Sequence, residues 1–254
     1  MKLQNMSAVI TGGASGLGLA CARQLLAKGV SVVIADHSAE RGQAVIGSLG
    51  EHARFIQADV CNPEQMNHVY DVAESLAPLR ALINCAGYGG ALRLVEKDGT
   101  AGSLEKFEDV IRVNLIGTFN ALRLAAVRMA KNELIDNERG ACVLTASVAA
   151  YEGQIGQVPY ASAKAGIVGM TLVAARDLAQ RHIRVCTIAP GIFDTPLLAR
   201  LPEPVKASLG ASVPHPARLG HPDEFAMTAL HILENPMLNG ETIRLDGAIR
   251  MTPR

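Results

Sequence analysis

Seven short apolar runs recur along the chain at near-regular intervals, and most lack polar alternation. They are 7–11 (SAVIT), 31–36 (SVVIAD), 53–59 (ARFIQAD), 81–87 (ALINCAG), 141–147 (ACVLTAS), 183–191 (IRVCTIAPG) and 241–247 (ETIRLDG). Runs of this kind suit parallel strands covered on both faces. Between them lie stretches with helical periodicity, at 17–29, 64–76, 104–132, 161–181 and 223–234. The alternation predicts an α/β protein with a single-domain, Rossmann-like, doubly wound sheet of seven parallel strands flanked by helices, covering residues 1–254. A dinucleotide-binding first half would reach to about residue 150, with a catalytic and substrate-binding second half. No linker divides the chain. Two regions break the rhythm: 88–102, rich in glycine and charge, and 191–222, which holds six of the 12 prolines. Both follow strand C-terminal ends, where open α/β sheets bind ligands, and long irregular loops in compact domains are commonly functional.

Composition narrows the possibilities. Lysine plus arginine equals aspartate plus glutamate at 24 each, so no global basic field draws nucleic acid or an anionic membrane, and a small-molecule substrate is expected. The five cysteines are scattered and without metal-ligand spacing. They read as reduced, mostly buried thiols, with no metal site implied. No run approaches about 18 consecutive apolar residues, and the first strand begins within ten residues of Met1. The expectation is a soluble protein without a leader peptide, cytoplasmic in a bacterium.

The first strand ends in Gly12-Gly13-Ala14-Ser15-Gly16-Leu17-Gly18. This is not the G-x-G-x-x-G order, but the physics is the same: a turn nearly free of side chains lets backbone N–H groups and a helix N-terminus approach a pyrophosphate. An ordinary strand–helix turn would look alike; the position after the first strand of a β–α series favours cofactor binding. Asp36 ends the second strand, eighteen residues beyond Gly18, close to where a carboxylate meets the adenosine ribose and would repel a 2′-phosphate. That points to NAD. Capping the next helix is the competing role, and Ser38 could fill it equally well. Asp59 and Val60 end the third run, facing adenine or simply turning the chain. Asn84-Cys85-Ala86-Gly87 gives the fourth strand a tip of small residues that allows close approach of a cofactor.

The second half carries Tyr160-Ala161-Ser162-Ala163-Lys164, with Ser147 thirteen residues before the tyrosine. Oxidising an alcohol requires a base within hydrogen-bond reach of the hydroxyl while hydride leaves the same carbon. A phenol, with pKa about 10, is too weakly dissociated at neutral pH unless its anion is favoured. A lysine four residues on shares its helix face and can supply that help. Ser147 could stabilise charge on the substrate oxygen. The pair alone is weak, since four tyrosines and seven lysines yield one by chance in about one chain in ten.

In order, TGGASGLG (11–18), NCAG (84–87), Asn114 in RVNLIGTFN, Ser147 in TASVAA, YASAK (160–164) and Pro190-Gly191 with Thr195 in APGIFDTPLL give the chain its likeness. It resembles the short-chain dehydrogenases/reductases over essentially its whole length. The resemblance implies that Tyr160 is the acid/base, that Lys164 lowers its pKa and holds the nicotinamide ribose, and that Ser147 orients the substrate oxygen. Asn114 would interrupt a helix and hold a water linking the lysine to solvent. A narrower likeness, carried by TASVAAYEGQIGQVPYASAKAGIVGMTL, IRVCTIAPGIFDTPLL and NGETIRLDGAIRM, is to type II 3-hydroxyacyl-CoA dehydrogenases, the 17β-hydroxysteroid dehydrogenase type 10 group. It implies NAD, acyl-CoA substrates, fatty acid metabolism and a homotetramer. Departures are NCAG for the commoner NNAG, which leaves Asn84 aside as a contact, and Tyr151 where relatives often carry Phe. The resemblance turns Gln157 toward substrate or nicotinamide, with a solvated loop amide as the other reading. Leu197, Leu198 and Leu201 could cover an acyl chain, and Arg93, Lys97 or Lys206 could meet CoA phosphates or simply be solvated. Three alternatives stay open: a steroid or other secondary alcohol as substrate, a 3-oxoacyl-acyl-carrier-protein reductase, and a non-enzymatic nucleotide-binding scaffold.

Overall fold

The computed structural model describes residues 1–196, 198 and 201–253. In chain order the regular elements are β1 (Ser7–Thr11), α1 (Gly16–Ala27), β2 (Ser31–Asp36), α2 (Ala39–Ile46), β3 (Ala53–Gln57), α3 (Pro63–Leu76) and β4 (Leu79–Asn84). There follow α4 (Leu104–Ile111), α5 (Gly117–Met129), β5 (Gly140–Thr145), α6 (Val158–Leu178), β6 (Ile183–Pro190), α7 (Glu203–Ala211), α8 (Pro222–Glu234) and β7 (Thr242–Leu245). All seven strands join one parallel sheet in the order β3-β2-β1-β4-β5-β6-β7. This is the expected Rossmann-like doubly wound sheet. The strand order reverses between β1 and β4, and ligands of such sheets bind in the crevice beyond the strand ends at that point.

Helices cover both faces, so β1, β4, β5 and β6 are buried along their whole length. On one face Cys21, Ala22 and Leu25 of α1 and Phe225, Ala229 and Leu233 of α8 pack over Ala8, Ile10, Ile83, Val143 and Ile188. On the other, Met66, Val69 and Tyr70 of α3, Ala121, Ala125 and Met129 of α5 and Ile167 of α6 pack over Val9, Leu82, Leu144 and Val185. Helix starts follow local chemistry. The Asn62 side chain accepts from the Glu64 and Gln65 N–H groups with Pro63 leading α3, while Ser38 and Ser103 cap α2 and α4.

The helix break that the resemblance implied at Asn114 is present, and two boundaries differ from the sequence reading. The periodic stretch 104–132 is not one continuous α-helix: between α4 and α5 the residues Arg112–Ile116 form a π-helical turn around Asn114. The third strand stops at Gln57, so Asp59 lies two residues beyond it. The segment 191–222 is less irregular than its prolines suggested, since it contains α7. Its ends are tied together, with Asp194 N–H donating to Gly220 O and Gly220 N–H donating to Ile192 O, both at 2.9 Å. The 88–102 region is mostly irregular, with bridges pairing Leu92 with Gln157 and Val95 with Ala101.

Helices spanning Leu104–Met129 and Val158–Arg181 are long and apolar enough by composition to cross a membrane. Both instead lay one side on the sheet and leave Ile116, Phe119, Val127, Leu172 and Val173 outward.

The close packing of α1 against the first turn sets the position of the crevice. A Cβ on Gly18 would collide with the Gly12 carbonyl and the Gly13 Cα, which are backbone atoms that cannot rotate away. Gly18→Ala is therefore expected to cost about 2 kcal/mol in chemical denaturation and to weaken dinucleotide binding measured by fluorescence quenching.

Candidate active site

The site is built where β1, β4 and β5 end. Gly12 turns with φ +63, and a Cβ there would lie about 2.9 Å from the Cys85 carbonyl carbon and the Ala86 nitrogen. Only glycine lets the two strand tips come this close. Thr11 Oγ1 donates to Asn84 Oδ1 at 2.7 Å and accepts from the Ala86 N–H at 3.2 Å. Asn84 Nδ2 donates to Thr118 Oγ1 at 2.9 Å, and that hydroxyl donates to the Asn114 carbonyl at 2.6 Å. A continuous hydrogen-bonded line thus runs from the glycine turn to the π-helical turn. Asn84 is fully engaged in it and is structural.

At the start of α1, Ser15 stands at the N-cap in extended conformation, and its side chain makes no capping bond. The first-turn N–H groups that a cap would otherwise satisfy are those a helix offers to an anion. Gly16 has φ +50 and faces Thr195 and Pro196, so the loop after β6 closes over the same turn. Leu17 packs partly buried against the α1–α8 core. The Asp36 carboxylate is buried and bound to the glycine loop itself: Oδ2 accepts from Ala14 N–H at 3.2 Å, while Oδ1 accepts from Ser38 N–H at 3.0 Å and pairs with Arg41 Nη2 at 3.1 Å. Ser38, and not Asp36, caps α2. Asp59 Oδ1 accepts from Cys61 N–H, and its carboxylate lies 3.7 Å from Arg112. Val60 is buried, with its carbonyl accepting from Asn120 Nδ2 at 2.7 Å.

Asn114 donates through Nδ2 to the carbonyls of Tyr88 and Val110, both at 3.0 Å. Its Oδ1 is buried without a hydrogen-bond partner, a state found at no other described side-chain atom. Buried polar atoms of this kind are commonly satisfied by a ligand or an ordered water. Gly87 leaves the space open, since a Cβ there would run into Asn114 Oδ1 and stand 3.5 Å from Lys164 Nζ.

Lys164 is buried, donates to the Thr145 carbonyl at 2.8 Å and lies 5.6 Å from the centre of the Tyr160 ring. Burial pulls its pKa down to about 8, against a small opposing pull from Cys85. Burial also raises the Tyr160 pKa, and the hydrogen bond with Ser147 is what opposes it. In this structure the ammonium donates to the Thr145 carbonyl beside the Tyr160 ring, and the Ser147 hydroxyl works against the effect of burial on the phenol. The Ser147 hydroxyl also accepts from Ala149 N–H at 3.1 Å, capping the short 3-10 turn Val148–Ala150. Thr145 joins two groups, because its Oγ1 donates to Cys85 Sγ at 3.6 Å. The Cys85 thiol is lowered, chiefly by a hydrogen bond from Cys21.

The substrate side is less convergent. The Gln157 amide is turned onto Gln154, accepting from its N–H at 3.1 Å. Pro190 ends β6, and Gly191 N–H donates to Leu245 O with Asp246 packed where a Cβ would stand. Leu198 and Leu201 are partly buried, and Leu197 lies outside the described residues. Arg93 and Lys97 line a surface pocket with Leu92, Ile155 and Gly156, while Lys206 is paired with Glu203 at 2.8 Å. All five cysteines are free. Among the described residues no group of His, Cys, Asp or Glu could hold a metal ion. Sequence reasoning quoted Thr11 and Thr145 as the first residues of TGGASGLG and TASVAA without giving them a role, and it missed Arg41. Arg41 had a faint signal, an arginine in the first turn of the helix after Asp36.

The short chain dehydrogenase family model matches residues 6–206. The chain belongs to that family. Among the relatives of this dehydrogenase, 3-hydroxyacyl-CoA dehydrogenase type-2 of Homo sapiens is 49% identical over 255 residues, spanning 99% of this chain and 98% of that one. Among solved structures, 3-hydroxyacyl-CoA dehydrogenase type-2 from Mycobacterium avium superposes with TM-score 0.94 at 46% identity, over 98% of both chains. A 3-ketoacyl-(acyl-carrier-protein) reductase from Brucella melitensis, complexed with NADH, superposes with TM-score 0.86 at 26% identity, over 97% of this chain and 98% of that one.

Burying the Lys164 ammonium costs stability, and the cost depends on pH. With the folded pKa near 8 and the ordinary value at 10.5, the unfolded chain holds the extra proton between those values, so the cost is full below pH 8 and fades toward 10.5. Lys164→Met should raise stability at pH 7 by up to roughly 3 kcal/mol, less whatever the unpaired Thr145 carbonyl costs. Thermal unfolding of both proteins from pH 7 to 10.5 should show the gain shrinking as pH rises.

Proposed function

We propose that this dehydrogenase interconverts 3-hydroxyacyl-CoA and 3-oxoacyl-CoA with NAD. The observation that carries the reading is near-half identity, sustained over the whole chain, to 3-hydroxyacyl-CoA dehydrogenase type-2 proteins. The geometry supports it by bringing Ser147, Tyr160, Lys164 and Asn114 to one crevice.

The residues fit the dinucleotide. Gly12, Ser15, Gly16, Leu17 and Gly18 would cradle the pyrophosphate, and Asp36 would accept from the adenosine ribose. Asp59 and Val60 would border adenine, and Cys85, Ala86 and Gly87 would leave room for the nicotinamide half, opposite Pro190, Gly191 and Thr195. Asp36 favours NAD over NADP because its carboxylate is fixed by two backbone N–H groups and already holds the neighbouring Arg41 cation. When bound, the nicotinamide supplies the hydride acceptor or donor.

The chain's own groups handle the proton. Ser147 holds the substrate oxygen, and Tyr160 takes the hydroxyl proton during oxidation and returns it during reduction. Lys164 would hold the nicotinamide ribose and relay the proton toward the gap that the unpaired Asn114 Oδ1 faces. Gln157 would meet substrate after leaving Gln154. Because burial raises the Tyr160 pKa, hydroxyacyl oxidation should climb with pH above neutrality.

The outward apolar faces of α5 and α6, bearing Phe119, Val127, Leu172 and Val173, support a homotetramer. Balanced charge and scattered free thiols support a cytoplasmic protein, and the acyl-CoA reading implies fatty acid metabolism. A second reading, reduction of a 3-oxoacyl chain on acyl carrier protein, draws on the Brucella melitensis neighbour.

Acetoacetyl-CoA is expected to oxidise NADH in the presence of this protein. Tyr160→Phe should remove nearly all turnover, a loss of at least about a hundredfold, while NADH binding followed by fluorescence is retained. Equal turnover by both proteins would show the mechanism to be wrong. In parallel assays NADH should outperform NADPH, and Asp36→Ala should narrow the difference; a wild-type preference for NADPH with acyl-carrier substrates would favour the second reading.

A further inference from the structure

Between Ser147 and Tyr160 the chain leaves β5, makes the 3-10 turn and then runs without regular structure until α6 begins at Val158. An untied loop of this length would let the two side chains drift relative to each other. The loop is tied by the far edge of the sheet. Arg244 on β7 grips Glu152 with two parallel bonds, Nη1 to Oε1 at 2.7 Å and Nη2 to Oε2 at 2.9 Å. Its Nε donates to Asp246 Oδ2 at 2.7 Å and Nη2 also donates to the Ile249 carbonyl at 3.1 Å, which fixes the plane of the fork. The guanidinium lies 5.0 Å over the Tyr151 ring. Arg244 itself cannot move far, because its backbone pairs with Ala189 in the sheet. The residues after it continue the grip, with Pro253 O accepting from Ile155 N–H at 3.0 Å and Thr252 O accepting from Gln154 Nε2 at 3.2 Å.

We propose that Arg244 is a positioning residue for the active site: through Glu152 it fixes the loop that sets the Ser147 hydroxyl against the Tyr160 phenol. The inference rests on the proposed pairing of those two side chains. It treats the arginine as acting through Glu152, with no contact of its own to substrate or cofactor. A bidentate arginine–carboxylate pair gives both direction and distance, which a lysine at the same position would not. The Arg244 hydrogen bonds hold the Glu152 carboxyl below the usual carboxylate range, so the tie persists across neutral pH. The charged groups around it are Glu152 on the loop and Asp246 and Arg250 after β7, with Arg250 3.6 Å from Glu152 and 3.2 Å from Asp246. The groups acting on Tyr160 are Ser147, after β5, and Lys164, on its own helix.

The test reads the phenol directly as well as turnover. Titration of Tyr160 is followed by tyrosinate absorbance of the full-length protein, with the Tyr160→Phe signal subtracted, in Arg244→Gln, Glu152→Gln, Arg244→Lys and Ser147→Ala. Arg128→Gln, which breaks a surface cluster with Asp71 and Glu74 on α3, controls for general destabilisation. Arg244→Gln and Glu152→Gln should move the Tyr160 titration to higher pH, in the direction set by Ser147→Ala. They should lower kcat by about ten- to a hundredfold with a smaller change in KM. Arg244→Lys should fall between them and wild type, and Arg128→Gln should leave the titration in place. A titration that moves in Ser147→Ala but not in Arg244→Gln overturns the positioning role alone. A titration unmoved by Ser147→Ala removes the Ser147–Tyr160 pairing, and the positioning role with it.

Discussion

A buried ammonium is the constraint from which the site follows. Lys164 sits in the interior with one protein hydrogen bond, to the Thr145 carbonyl, and desolvation alone pulls its pKa most of the way toward neutrality. Holding it there requires a rigid acceptor, supplied by the last residue of a central strand buried on both faces. It also requires that nothing else occupy the gap beside it, which is why glycine stands at 87 and why the helix around Asn114 widens into a π turn. Such turns are rare and concentrate at functional sites. Here the extra residue in the turn leaves an amide oxygen aimed into a buried gap without a donor.

The fold was legible in the sequence because its signal is redundant. Seven apolar runs, each ending in small or polar residues, leave few arrangements other than a parallel sheet with helices on both faces. The site was legible where chemistry dictates residue type: the glycine turn, the carboxylate ending β2, and the serine, tyrosine and lysine. It was illegible where a common residue acts through its backbone or at long range. Thr145 matters for its carbonyl, which any residue carries, and Thr11 for a hydroxyl that binds the Asn84 side chain on the neighbouring strand, 73 residues on in the chain. The break at Asn114 left no trace in the apolar periodicity, because a single widened turn shifts the register without interrupting it. The α7 helix was hidden by flanking prolines, which start helices as readily as they end them.

The lysine shows what helical spacing specifies and what it leaves to other elements. Four residues of helix bring Lys164 beside Tyr160, as the spacing required, and the strand end at Thr145 supplies the acceptor for its ammonium. The second group set near the phenol comes from another element. Ser147 reaches it only because the turn after β5 folds back over the start of α6, a relation no local pattern encodes.

The tie between Ile192, Asp194 and Gly220 closes a neck at the base of a long excursion from the sheet. Because the neck is sealed by its own backbone bonds, the span beyond it can change length at little cost, each doubling adding only about 0.6 kcal/mol of closure entropy. Ser147, Tyr160 and Lys164 all lie outside that span, and of the residues proposed around the cofactor only Thr195, at its very start, falls within it. Descent with modification can therefore remodel this excursion like an exchangeable cassette, diversifying what the crevice admits while the chemistry beneath stays fixed.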